Sequence, residues 1–358
     1  MRVLVDTTFA RRGPSGTGVY LERLVPALRA AGIQVEEAAN ERRGPPAGGG
    51  LGSAANAVED LRWTAVDLPR LARAAGADLI HHPLPALALR GTTPQVVTVH
   101  DLAFVRLPER FDPRYRVHAE RAHRAAARRA AAVVCVSETT ARDVRARWGV
   151  PESRIVVARH GAGQEPAAPA ERTERHFLYV GDDEPRKNLA TLLAAYARYR
   201  DGTDDPAPLV LAGGLGADDA ARTKGSDPFV RRGASDAAGV EVVHRPDGAR
   251  LAELYGGALA LVHPALHEGF GLTPLEAMSA GVPVIAGRAP GVVEVCGEAV
   301  RYADPRDAES FAAALTDVAA DPAARRDLAA RGRRRAAEFS WTRSARDHIR
   351  AYTLALHR

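Results

Sequence analysis

At 358 residues, 46% hydrophobic and 26% charged, the chain is too long for one ordinary core and has enough apolar material for two. Two cysteines, Cys135 and Cys296, exclude a disulfide framework and read as buried strand thiols of a reducing cytoplasm. The net charge of +5 is uneven: residues 1–168 carry 24 basic and 17 acidic side chains and residues 169–358 carry 25 and 27, so the first half attracts anions more strongly.

The N-terminus carries Arg2, Asp6, Arg11 and Arg12, and the longest uncharged apolar stretch, near 254–266, is short and broken by Gly and Pro. We therefore expect neither a signal peptide nor a membrane span, and a cytoplasmic protein. Short β-branched runs follow one another, each trailed by a helical pattern: RVLVD, DLIHH, QVVTVH, AAVVCVS and RIVVA, then HFLYVG, PLVLAGG, GVEVVH, LALVHPA and GVPVIA. This alternation predicts two doubly wound, Rossmann-like α/β domains with parallel sheets. QEPAAPAERTER (164–175), rich in Pro, Ala and charge, reads as the linker between domains over 1–168 and 169–340. Residues 41–57, with four consecutive small or Gly positions, read as a mobile loop. The tail from 341 to 358 predicts one amphipathic helix, with Trp341, Ile349, Tyr352 and Leu356 packing back toward the first domain.

In the first domain, GPSGTGVYLERL sets Gly16 and Gly18 just before a helix, which is either a structural turn or an approach to phosphate. QVVTVHDLAF ends a strand with His100 and Asp101. Ser137, after AVVCV, suits a helix cap. Eight arginines against three acids between 106 and 129 make either a solvated helix face or a surface for an anionic acceptor or bilayer.

In the second domain, lysine is so rare (187 and 224, against 47 arginines) that Lys187 invites a reason. It follows Arg186 at a strand end, where an Arg fork and a compact ammonium suit a diphosphate; Asn188 suits the cap of the helix beyond. HEGFGLTPLEAMSAG places Thr273, Pro274 and Glu276 as a capping box, which accounts for Glu276 without any ligand. Glu268 precedes the helix at the carboxyl end of a strand, where open α/β sheets bind ligands. Gly269 and Gly271 allow close backbone approach, and the amides of Leu272 and Thr273 point outward with the positive end of the helix dipole. A carboxylate on each side of an anion site suits hydroxyls flanking a diphosphate, the layout of a nucleotide sugar.

Glu268 to Glu276 resembles the E-x7-E motif of retaining glycosyltransferases of family 4, whose fold, GT-B, sets two Rossmann-like domains across a cleft, with a C-terminal helix crossing the junction. The resemblance implies that Glu268 contacts the transferred sugar and Glu276 the ribose, and that Arg186 and Lys187 hold the leaving diphosphate. It also implies that the Gly16–Gly18 loop faces the donor phosphates and that His100, in an H-D-L-x-F element, lies beside the donor sugar. GVVEV, with Glu294, resembles a family segment and reads as structural. Ala265, where the family usually has serine, and His160, where it has an Asn-Gly turn, depart from the pattern. The form HDLAF is similar to mannosyl- and rhamnosyltransferases.

The resemblance implies retention of configuration, and no D-x-D pair stands out for a metal, so metal independence is expected, with no cofactor beyond the donor. The expected acceptor is a sugar, lipid-linked or natural-product hydroxyl. Alternatives are a nucleotide-sugar epimerase on the same fold, a catalytically inactive nucleotide-binding module, and a basic nucleic-acid binder, which the lack of aromatics among the arginines disfavours.

Overall fold

The computed structural model describes residues 1–10, 15–44, 50–87, 92–163, 175–215 and 238–358. In chain order the elements are β1 (Arg2–Asp6), α1 (Gly16–Ala30), β2 (Gln34–Ala38), α2 (Gly50–Arg62), α3 (Leu68–Ala74), β3 (Leu79–His82), β4 (Gln95–Val99), α4 (Ala103–Arg106), α5 (Pro113–Arg129), β5 (Ala132–Cys135), α6 (Glu138–Asp143) and β6 (Ile155–Val157). They continue with β7 (His176–Val180), α7 (Leu189–Asp201), β8 (Leu209–Gly213), β9 (Val240–His244), α8 (Gly248–Gly257), β10 (Ala258–His263), α9 (Leu272–Ser279), β11 (Val284–Gly287), α10 (Pro290–Cys296), β12 (Arg301–Ala303), α11 (Ala308–Ala320), α12 (Pro322–Ala336) and α13 (Trp341–Leu356).

Two compact units result, one of Met1–Pro108, Asp112–Gly161 and Ser340–Arg358, the other of Glu109–Phe111 and Ala162–Phe339. The first holds a six-stranded sheet in the order β2-β1-β3-β4-β5-β6, the second a six-stranded sheet in the order β12-β11-β10-β7-β8-β9. Every pairing in both sheets is parallel, as expected of apolar strands that bury both faces under helices. In the second sheet the chain runs outward from β7 through β8 to β9, then restarts at β10 on the other side. The strand order therefore reverses between β7 and β10, the position where doubly wound sheets open a crevice at their carboxyl ends.

Core residues of the second unit include Phe177, Leu211, Val262, Phe311 and Leu315, all fully buried. In the first unit Val3, Val5, Leu24, Leu79 and Val134 pack with Ala345, Ala351, Tyr352 and Ala355 of α13. The buried residues of α13, at 344, 345, 348, 351, 352 and 355, follow the spacing of one helical face, and their mostly small side chains admit the helix close to the sheet. Trp341 and Ile349 join that packing, but Leu356, the last residue of the helix, stays 39% exposed.

A buried polar chain runs through the same core. Tyr20 Oη meets Thr98 Oγ1 at 2.9 Å and His348 Nε2 at 2.8 Å, and His81 meets Thr98 Oγ1 and Tyr352 Oη, each at 2.8 Å. His348 Nδ1–H donates to the Ser344 carbonyl at 2.7 Å, so its Nε2 accepts from Tyr20.

Two expectations are corrected here. Residues 50–57 of the expected loop belong to α2, since LGSAANAVEDLR has enough Ala and Leu to continue a helix; residues 45–49 lie outside the described residues, as do 164–174 of the expected linker. Cys296 is buried at the end of a helix, not in a strand, because Pro290 starts a turn of helix through VVEVC; Cys135 is a buried strand thiol.

Candidate functional site

The carboxyl ends of β7 and β10 carry the residues singled out by sequence. After β7 the chain passes through a 3₁₀ turn at Pro185–Lys187, and after β10 it enters the loop holding Glu268. The Leu266 amide donates to the Arg186 carbonyl at 2.9 Å, tying the two loops together. Lys187 Nζ donates to Glu268 Oε1 at 2.6 Å and Arg186 Nη1 to Oε2 at 2.9 Å, while Arg186 Nε donates to Glu184 Oε2 at 2.7 Å. The side chains of Arg186, Lys187 and Glu268 are 16%, 14% and 11% exposed, so these charges interact with little water between them. Burial alone would raise the Glu268 pKa, but Arg186 and Lys187 outweigh it and hold the carboxyl well below its ordinary range. The site thus holds an ionised carboxylate between two cations at the switch point of the sheet.

Asn188 fixes this turn, though not as the expected cap. It adopts φ 60°, and its side chain does not cap α7. Instead Nδ2 donates to the carbonyls of Pro264 (3.1 Å) and Pro305 (2.6 Å), bridging the β10 and β12 loops, and Oδ1 accepts from Thr191 Oγ1. Asparagine tolerates the left-handed region better than most residues, which leaves its amide free for the bridge.

The capping box is also corrected. Gly271, at φ +100°, occupies the N-cap, so α9 starts at Leu272 and Thr273 lies inside the first turn. Glu276 is buried and its Oε2 accepts from Tyr255 Oη at 3.2 Å; burial and the nearby carboxylate push the tyrosine pKa well up. With proline at 274, the first-turn amides of α9 are those of Leu272 and Thr273, which have no acceptor within the helix. The N-terminus of α10 presses on the same loop: a Cβ at Gly291 would stand 2.2 Å from the Glu268 carbonyl oxygen and 2.7 Å from the Gly269 carbonyl.

His263, the last residue of β10, was not singled out by the sequence reading. Its Nε2 is fully buried, has no hydrogen-bond partner among the described residues and lies 3.5 Å from Glu268 Oε1. The only hint was a histidine closing an otherwise apolar strand. Tyr255 and Gly291 were missed as well, since their roles depend on contacts between α8 and α9 and between α10 and the Glu268 loop.

Gly16, Gly18 and His100 lie in the first unit. Gly16 and Gly18 open α1 rather than precede it. Ser15 Oγ caps the helix by accepting from the Gly18 amide at 3.0 Å, and a Cβ at Gly16 would meet nothing within 4 Å. His100 follows β4, half-buried, its Nε2–H donating to the Pro83 carbonyl at 3.0 Å and its ring edge-on to Tyr20 at 5.0 Å. Burial keeps it below its ordinary pKa against the pull of Asp101, so the ring is neutral with Nδ1 as acceptor. Ser137 caps α6 through the Thr140 amide at 3.0 Å. Of the eight arginines between 106 and 129, Arg106 is committed to buried Asp143. Arg114, Arg121, Arg124, Arg128 and Arg129 of α5 are exposed, with Tyr115 and Val117 beside them. Among the described residues no group of three or more His, Cys, Asp or Glu is placed to hold a metal ion.

Two parallel doubly wound units, the second with paired cations and a carboxylate at its switch point, define an α/β protein of the GT-B architecture. Comparison with known proteins makes this specific. Residues 164–335 match the family model of glycosyl transferases group 1, and residues 14–162 match that of glycosyltransferase family 4. The chain belongs to the family 4 glycosyltransferases, which does not favour the epimerase or nucleic-acid readings. It is 32% identical over 272 residues to the O-antigen chain mannosyltransferase B of Escherichia coli, covering 72% of this chain and 70% of that protein. It is 31% identical over 245 residues to an MMP alpha-(1->4)-mannosyltransferase of Mycolicibacterium hassiacum, covering 65% of this chain but 56% of that one. Among solved structures, sucrose-phosphate synthase of Thermosynechococcus elongatus matches with a TM-score of 0.79 at 22% identity, over 99% of this chain and 98% of that one. HepE of Anabaena, solved with UDP and glucose, matches with a TM-score of 0.70 at 17% identity, over 99% of both chains. At these identities the two structures speak for the fold.

Proposed function

We propose that the protein is a retaining, metal-independent hexosyltransferase that takes mannose, or a related deoxyhexose, from a nucleoside diphosphate sugar, with GDP-mannose the first candidate, and gives it to a sugar, lipid-linked or natural-product hydroxyl. The observation that carries this reading is the Arg186–Lys187–Glu268 cluster at the switch point of the second sheet. The mannosyltransferase names of the relatives support the sugar, and the UDP complex of HepE supports a nucleoside diphosphate ligand.

Breaking the bond between sugar and phosphate develops positive charge on the ring and negative charge on the diphosphate. Arg186, Lys187 and the Leu272 and Thr273 amides stabilise the departing diphosphate, and Glu268 orients the sugar through a hydroxyl. Glu276, held by Tyr255, meets the ribose. The departing phosphate oxygen accepts the acceptor's proton, so the new bond forms on the face the diphosphate leaves and configuration is retained. His100 Nδ1, an acceptor in the neutral ring, suits a sugar hydroxyl.

Incubation of the purified protein with GDP-mannose, UDP-glucose and dTDP-rhamnose in EDTA, with a mannoside acceptor, tests the reading. Transfer with the donor's anomeric configuration, read by NMR, is expected; turnover of none of these donors, or activity only with added metal, would contradict it. The exposed arginines of α5, with Tyr115 and Val117, support contact with an anionic membrane surface. Among the described residues no helix is long and apolar enough to cross a membrane. Co-sedimentation with phosphatidylglycerol vesicles, lost on charge reversal at Arg121 and Arg124, checks this contact.

A further inference from the structure

The cluster at the switch point has a built-in competition. Both cations that would hold a diphosphate bond the same carboxylate, Lys187 on Glu268 Oε1 and Arg186 on Oε2, with Arg186 also held by Glu184. A diphosphate that draws Arg186 and Lys187 to itself takes from Glu268 the two partners that now fix its orientation. A glutamate left without partners swings among rotamers, and a group meant to grip a sugar hydroxyl then loses its aim.

One neighbour remains. His263 Nε2 stands 3.5 Å from Glu268 Oε1, fully buried and otherwise without a hydrogen-bond partner among the described residues, an arrangement rarely kept unless the atom has a use. The ring is anchored on β10, whose His263 is paired with Ala286 of β11, so its place does not depend on where the Arg186 and Lys187 side chains point. Burial holds its pKa below the ordinary histidine value despite Glu268, which leaves the ring neutral. In the Nε2–H tautomer it donates to the carboxylate without attracting the diphosphate as a third cation would.

Resting on the function proposed above, we infer that His263 is a positioning residue: when the donor's diphosphate takes over Arg186 and Lys187, His263 holds Glu268 in place for the sugar. The test compares His263→Gln, which keeps an N–H at the same reach, with His263→Met, which keeps the length without the donor; His263→Leu takes the place of Met should that chain not fold. Turnover of GDP-mannose, UDP-glucose and dTDP-rhamnose and binding of GDP, UDP and dTDP are measured, with Lys187→Ala run in parallel.

The expected result is a kcat lowered about 30-fold or more in the Met variant and largely restored in the Gln variant, with KM and nucleoside diphosphate affinity within about threefold of the parent. A Met or Leu variant with parental kcat overturns the inference, as does a loss of kcat and nucleotide affinity together that Gln does not rescue. The reading beneath it fails separately. If Lys187→Ala leaves nucleoside diphosphate binding intact, or no donor is turned over, the site assignment itself falls. If Lys187→Ala abolishes binding while His263→Met turns over normally, only the role of His263 falls.

Discussion

Gly291 and the carbonyl of Glu268 touch so closely that a single added carbon at 291 would lie 2.2 Å from that oxygen. The start of α10 therefore acts as a wall behind the loop that presents Glu268, and its position fixes how far forward the carboxylate stands. Gly291→Ala forces either the helix or the loop to yield. A loss of roughly 1–3 kcal/mol is expected, with turnover reduced beyond what the lower stability explains. Urea denaturation and steady-state kinetics check this, and parental values in both would show that the contact is easily relieved.

Lys187→Ala removes one of two cations from the cluster and leaves Glu268 on Arg186. If Lys187 neutralises the departing diphosphate, kcat falls on the order of a hundredfold or more, equivalent to roughly 3 kcal/mol of transition-state stabilisation. Lys187→Arg rescues little, because a planar fork does not reproduce a compact ammonium at 2.6 Å. Kinetics of both variants with the best donor decide the point.

Glu268 and Glu276 separate by kinetic signature. If Glu268 grips the transferred sugar, Glu268→Gln, beside the cations, is expected to lower kcat. Glu276→Gln, buried against Tyr255, is expected to raise the donor KM about tenfold with a smaller change in kcat. Equal effects of both substitutions on kcat alone would contradict the division of roles.

Asn188 combines backbone strain with two hydrogen bonds to carbonyls. Asn188→Gly keeps the left-handed backbone but loses the bonds; Asn188→Ala loses both and is expected to cost about 1 kcal/mol more. Denaturation midpoints of the two variants give the difference directly.

Acid acts on the first unit through its buried histidines. His81, His82, His160 and His348, together with half-buried His100, are all held below the ordinary histidine pKa, first by burial, His348 down to about 4. The unfolded chain takes up protons as pH falls through about 6.5, whereas the folded chain resists until the lower native value. Stability is thus independent of these groups above about 6.5 and declines as pH falls toward 4, His348 alone giving on the order of 3 kcal/mol. His348→Gln should flatten the fall in denaturation midpoint between pH 7 and pH 5. An unchanged slope would mean that His348 does not couple protonation to unfolding.

The sequence by itself determined the architecture. Strands such as AVVC and LALV are apolar on both faces and recur between helical periods, and a parallel sheet covered on both sides satisfies that pattern. Arg186, Lys187 and Glu268 were legible for a related reason: charged residues in the loops that follow such strands stand near the carboxyl edge, and a lysine in so arginine-rich a chain is conspicuous.

Tertiary structure alone decided what those residues touch. Thr273 and Glu276 have the spacing of a capping box, yet Gly271 at φ +100° starts the helix two residues early and Tyr255, 21 positions away, takes the carboxylate. Asn188 looked like a cap and became a bridge to two distant loops, and residues 50–57 looked like loop and became helix. His263 carried no motif, and its meaning lies in a 3.5 Å distance to Glu268 across a turn. Local propensity fixes which elements form, because it acts over a few neighbours; hydrogen-bond partners are chosen by whichever groups packing brings together, and that is settled only when the sheet closes.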